Sequence, residues 1–133
     1  MAQTQSPTTE GYVECAKLLQ GTAASKIKSV TGIKTSCTAN DSQTASGITK
    51  ADNGLELADA DTVALATTTA TNDTVQLDHE FTASGTVTVK GFGILNDDDD
   101  VLYALCCFAS DIAMENGDKL SVQMKVQVKV GAT

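Results

Sequence analysis

Arginine and tryptophan are absent from this 133-residue chain, proline and histidine occur once each, and only two tyrosines and three phenylalanines supply its aromatic groups. Each shortage excludes something. The nine cations are all lysines, set against seventeen acids for a net charge of −8. Phosphate-backbone binding draws on clustered cations, and only Lys26, Lys28 and Lys34 lie near one another, so nucleic acid is not an expected partner. The longest apolar stretch, Val101–Ala109, is far shorter than the roughly twenty residues that span a bilayer, so a membrane is not expected either. Met1–Thr9 has neither the basic start nor the apolar run of a secretory signal, and synthesis and folding in a cytoplasm are expected. Scarce aromatics leave the core to Val, Leu, Ile, Ala and Thr, residues that suit packed sheets. A core so built is modest, and contact with neighbouring subunits would add to its stability.

What the chain does have is alternation. Leu120, Val122, Met124, Val126, Val128 and Val130 alternate with Ser121, Gln123, Lys125, Gln127 and Lys129, the period of two that puts apolar groups on one face of a strand and polar groups on the other. Shorter segments upstream read the same way. Val63 and Leu65 begin a strand that ends near Asn72-Asp73, and Val75, Leu77, His79 and Phe81 mark a second. Val87–Leu95 forms a third, closed by Asn96 and four aspartates. Val101–Ser110 is continuously apolar, as in a central strand covered on both faces. Asn116-Gly117-Asp118 turns the chain into the terminal strand. Strands at this spacing, joined by polar turns, predict an all-β fold, an antiparallel β-sandwich or a barrel-like domain.

The first quarter is less regular. Met1–Thr9 reads as a polar, mobile arm. Thr8 or Thr9 is placed to cap a short helix through Tyr12, Val13, Ala16 and Leu19, with Gly21 as its stop, although Tyr12-Val13 also suits a strand. Lys26–Thr38 reads as a strand with a bulge or bend at Gly32, Ala39–Gly47 as a loop, and Ile48–Ala60 as an irregular connection holding at most one short element. The expected division is an N-terminal arm or attachment segment at 1–25 and a β-sandwich domain at 26–133.

Candidate chemistry is sparse. Asp97, Asp98, Asp99 and Asp100 are four adjacent carboxylates of the kind calcium takes, but between two strands a solvated acidic turn that deters edge pairing is the plainer account. Asp59 and Asp61 lack the periodic ligand spacing of a calcium loop and read as surface. His79 shares the face of Val75, Leu77 and Phe81, whereas its neighbours Asp78 and Glu80 point to the other face and cannot orient its ring. Gly91-x-Gly93 lacks the rest of a nucleotide fingerprint. No catalytic residue and no cofactor are therefore expected, and the chain is read as not an enzyme. Of the cysteines, Cys106 and Cys107 point to opposite faces of one strand, and no paired short spacing for zinc exists. Buried reduced thiols are the plain reading, with a bridge from Cys15 or Cys37 to one of the later pair left open.

The segments Thr74–Gly85, Val87–Asn96, Val101–Phe108 and Asn116–Val122 together resemble a loose group of small virion structural proteins of tailed viruses, of the capsid-decoration and tail-fibre-like accessory kind. The shared features are a strand ending in Phe81, the Gly93–Asn96 segment, a small-residue strand ending in Phe108, and a Gly-Asp turn before the terminal strand. The chain departs from that group at Asp97–Asp100, where a short glycine-containing turn is usual, and at Cys106 and Cys107, in a strand that usually carries Ala and Arg. The resemblance implies a homo-oligomer located in the virion and made in the host cytoplasm, with itself and the major capsid protein or other virion proteins as partners. It carries over no catalytic residue. The alternative is a tail- or fibre-associated receptor-recognition module that binds a host-surface glycan or protein.

Overall fold

A computed structural model describes residues 3–128; the outer end of the terminal alternation, Lys129 and Val130, lies outside them. The chain forms two antiparallel sheets and one short helix. Its elements are β1 (Gln3–Pro7), α1 (Thr9–Gln20), β2 (Ile27–Ile33), β3 (Ala58–Asp59), β4 (Thr62–Ala66), β5 (Thr74–Thr82), β6 (Val87–Asn96), β7 (Leu102–Met114) and β8 (Lys119–Gln127). One sheet runs β1-β7-β6-β2-β3 and the other β4-β5-β8. No closed barrel forms among the described residues, which decides for the sandwich.

The two sheets meet over Val30, Val89, Phe92, Ile94 and Cys106 from the larger and Leu77, Phe81, Val122 and Met124 from the smaller. The outer face of the larger sheet is also covered. There Ile33, Leu95, Leu102, Leu105 and Cys107 pack with Ala45, Ile48 and Leu57 of the long β2–β3 connection. This double cover explains the unbroken apolar run of β7: Cys106 serves the inner core and Cys107 the outer, as period two requires. The connection is held by backbone bonds at the close approach of Gly32, whose amide donates to Leu55 O at 2.8 Å. A Cβ on Gly32 would lie 2.9 Å from that oxygen, so the glycine marks a contact. The bulge of β2 falls instead between Ile27 and Ser29.

One expectation for the N-terminal segment is corrected. Residues 3–7 are no free arm, because β1 pairs antiparallel with β7 from Gln3↔Phe108 to Pro7↔Ala104 and forms an edge of the larger sheet. The helix is present, capped by Thr8, whose side chain accepts from Gly11 N, and stopped by left-handed Gly21. Its packing face, however, is not the apolar set. Tyr12, Val13, Leu18 and Leu19 stand exposed while Gly11 and Glu14 are buried. A Cβ at Gly11 would sit 2.7 Å from Tyr103 O, so the absent side chain is what lets α1 lie on β7.

Candidate functional site

Asp97–Asp100 occupy the β6–β7 turn, and among the described residues each carboxylate except that of Asp99 has its own partner. Asp97 pairs with Lys28 Nζ at 3.1 Å, Asp98 accepts from Ser25 Oγ, and Asp100 accepts from Asn96 Nδ2 at 2.8 Å. Asp99 adopts a left-handed φ of 61°, which closes the turn. The side chains diverge instead of forming a cage, and among the described residues no three His, Cys, Asp or Glu side chains form a group able to hold a metal.

Beneath the turn lies a polar joint that pattern reading did not single out. Asn96 is fully buried; its Oδ1 accepts from the amides of Asp100 and Val101, and its Nδ2 also donates to Glu14 at 3.0 Å. Glu14 in turn accepts from Ser25 N at 2.9 Å. Glu10 accepts from Leu102 N at 2.8 Å and Ala45 N at 3.0 Å. Two carboxylates of α1 thus bind the β6–β7 turn, β7 and the long connection together. Among the described residues each of these bonds joins α1 to another segment of the chain or closes the β6–β7 turn.

His79 has acquired a partner that its own strand does not provide. Its Nδ1 lies 3.1 Å from Oδ1 of Asp61, in the short β3–β4 link, while Asp61 Oδ2 accepts from Glu80 N at 2.8 Å. The ring meets Phe81 edge-on at 4.5 Å between centroids. Asp78 and Glu80 turn away as alternation requires, Asp78 to Gln76 and Gln123 and Glu80 to Lys119. These groups and Ser121 line a shallow hollow, but Ser121 Oγ is bonded to Glu80 at 3.3 Å, not to the imidazole. The hollow therefore holds an oriented histidine with no nucleophile bonded to it among the described residues, and general base catalysis through a hydroxyl lacks its first contact.

The cysteines divide. Cys37 of the long connection is disulfide-bonded to Cys107 of β7, which is the bridge left open from Cys37 to the later pair and replaces the plainer reading of those two as reduced. Cys106 is a buried thiol and Cys15 an exposed one. Desolvation, and then the neighbouring Glu14, push the Cys15 thiol above its ordinary value, so it is a poor nucleophile.

The most distinctive surface is apolar. Between α1 and the small sheet runs a groove of about 300 Å³, lined by Cys15, Leu18, Ile27, Val63, Leu65 and Val128 among others. Val63 pairs with Leu77 and Leu65 with Val75, so both belong to the inward face of the small sheet, yet Leu65 is 63% exposed because the larger sheet does not reach over it. Leu19 stands 91% exposed on the helix, outside this lining. Grouped apolar exposure of this kind marks contact surfaces more often than solvated ones. The chain matches no protein-family model, no curated protein and no solved structure.

Proposed function

We propose that this protein is a non-enzymatic structural module that assembles with copies of itself, as a capsid decoration or accessory protein on the particle of a tailed virus. The observation that carries the reading is the uncovered apolar groove between α1 and β4, lined by the exposed Leu18, Val63 and Leu65. In an isolated chain these side chains face water at a cost of about 25 cal/mol per Å² of apolar surface, a cost that a neighbouring subunit removes. The Cys37–Cys107 bond adds support, since such a bond persists in the oxidising surroundings that a released particle meets rather than in a reducing cytosol. The viral setting itself rests on the resemblance of residues 74–122.

The reading as a glycan-recognition module has less support. Sugar platforms use exposed aromatic rings, and Phe81, Phe92 and Tyr103 are buried and Phe108 partly so, leaving Tyr12 as the exposed ring. The test is the mass of the purified chain by sedimentation velocity across a hundredfold range of concentration, together with co-sedimentation with viral particles. An oligomer that binds particles is the expected result. A monomer at every concentration that leaves particles unbound would overturn it.

A further inference from the structure

The sandwich has four edge strands, β1 and β3 in one sheet and β4 and β8 in the other, and three of them carry features that discourage further pairing. β1 ends in Pro7, which has no amide to donate; β3 is two residues long and bears Asp59; β8 carries Lys119 and Lys125. β4 carries none. Its five residues Thr62–Ala66 include no charge and no proline, and all but Ala66 are exposed. They begin the longest uncharged run in a chain of net charge −8, residues 62–72. Among the described residues β4 pairs on one side only, with β5.

From this contrast we infer that β4 is the site of self-association: it pairs antiparallel with β4 of a second copy about a twofold axis at Ala64, joining two three-stranded sheets into one of six. The assignment deepens the self-assembly reading above and rests on it. The strand is complementary to itself in that register. Thr62 meets Ala66, Ala64 meets Ala64, and Val63 meets Leu65, so apolar side chains oppose apolar ones. The flanking Asp61 falls opposite the uncharged Thr67, so no two carboxylates face each other despite the acidity of the whole chain. The pairing satisfies the outward amides and carbonyls of β4 and continues the apolar floor that Val63 and Leu65 begin beside Leu18. A twofold contact of this kind closes on itself and yields a discrete dimer unit.

The test uses the full chain with Leu65→Lys and Val63→Lys, each checked for a native circular dichroism spectrum, and Leu19→Lys as a control on the helix. Sedimentation velocity should show an even-numbered oligomer for the native chain, a dissociation constant raised roughly tenfold or more by either β4 lysine, and little change for L19K. Hydrogen exchange at residues 63–66 should slow as concentration rises. If the native chain is monomeric at every concentration, both this assignment and the assembly reading fall. If the oligomer survives both β4 substitutions but is lost in L19K, or the β4 amides exchange at one rate at all concentrations, the edge assignment is overturned while the assembly reading stands.

Discussion

Removing Asn96 tests whether α1 is held to the sandwich by polar bonds instead of by an apolar face. Asn96→Ala deletes two bonds to backbone amides and two to carboxylates, those of Glu14 and Asp100. Neutral bonds contribute about 0.5–1.5 kcal/mol each and bonds to charged groups about 1.5–3. The turn amides and Asp100 are only partly buried and water can replace their lost partner, so most of the penalty falls on Glu14, which is 5% exposed and would keep only Ser25 N. A loss of about 3–4 kcal/mol is expected, a large share of the 5–15 kcal/mol that holds an ordinary domain together.

Asn96→Asp separates charge from volume at the same place. The shape and the acceptor for Asp100 N and Val101 N remain, but an oxygen replaces the amide that donated to two carboxylates. At pH 7 this variant should be at least as unstable as N96A, since three acceptors then converge without a proton between them. Burial and like charge raise the introduced carboxyl above its unfolded value of about 3.9, so its penalty is absent below that value and complete above the raised one. Stability should therefore recover on acidification more for N96D, which places a new carboxyl beside Glu14 and Asp100, than for N96A, which leaves only Glu14 short of a donor. Urea denaturation at pH 7 and pH 5, with m checked for constancy, measures both. An N96A chain within about 1 kcal/mol of the native one, or an N96D chain as stable as the native at pH 7, would refute the reasoning, because either outcome means the joint is not what anchors the helix.

Other expectations are independent of that joint. Asp73 accepts from the amides of Thr68, Thr69 and Ala70 and from Gln127 across the sheet, which holds its carboxyl well below the ordinary carboxylate range. Its contribution is present in full above the unfolded value and lost as pH falls toward the depressed one, so the stability gap between the native chain and Asp73→Asn should narrow below about pH 4 in acid titrations followed by circular dichroism. The Cys37–Cys107 bond spans 70 residues of sequence; a loop of that length gives about 4 kcal/mol in the chain-entropy account, so a reductant should lower the melting temperature of the native chain and leave the double serine variant unchanged. Gly11→Ala should destabilise despite alanine's better helix propensity, because its Cβ meets the Tyr103 backbone; thermal melts that show a gain would contradict the contact. Leu105→Ala, in the outer core, should cost about 2–5 kcal/mol in the same urea assay.

The legible part of this fold is the part whose signal is local. β5, β6 and β8 lie where alternation puts them, β7 begins where continuous apolarity puts it but runs past Ser110 to Met114, and Thr8 and Gly21 bound the helix because caps depend on a few neighbouring residues. The packing face of α1 was not legible, since Gly11 acts through a missing side chain and Glu14 through hydrogen bonds, and neither contributes to an apolar period. β1 has no pattern at all; QTQSP is polar on both faces and is extended because β7 offers it a ladder. Asp61 and His79 are 18 residues apart and meet only through the route of the β3–β4 link, so reading His79 against its strand neighbours Asp78 and Glu80 could reject a pair but not find one.

In each of these cases the missing information sat in a distant segment that supplied the partner. β4 presents the opposite case. Val63 and Leu65 follow the alternation of a half-buried strand, which is why the strand was readable, and they share a face with Leu77 and Val75, yet they stand uncovered. Alternation is a response to burial on one face, and in β5 and β8 the residues Leu77, Phe81, Val122 and Met124 that show it are buried. A strand that carries the pattern without its cover, in the longest uncharged stretch of an acidic chain, is the edge at which the pairing inferred above would add a strand without bringing carboxylates together.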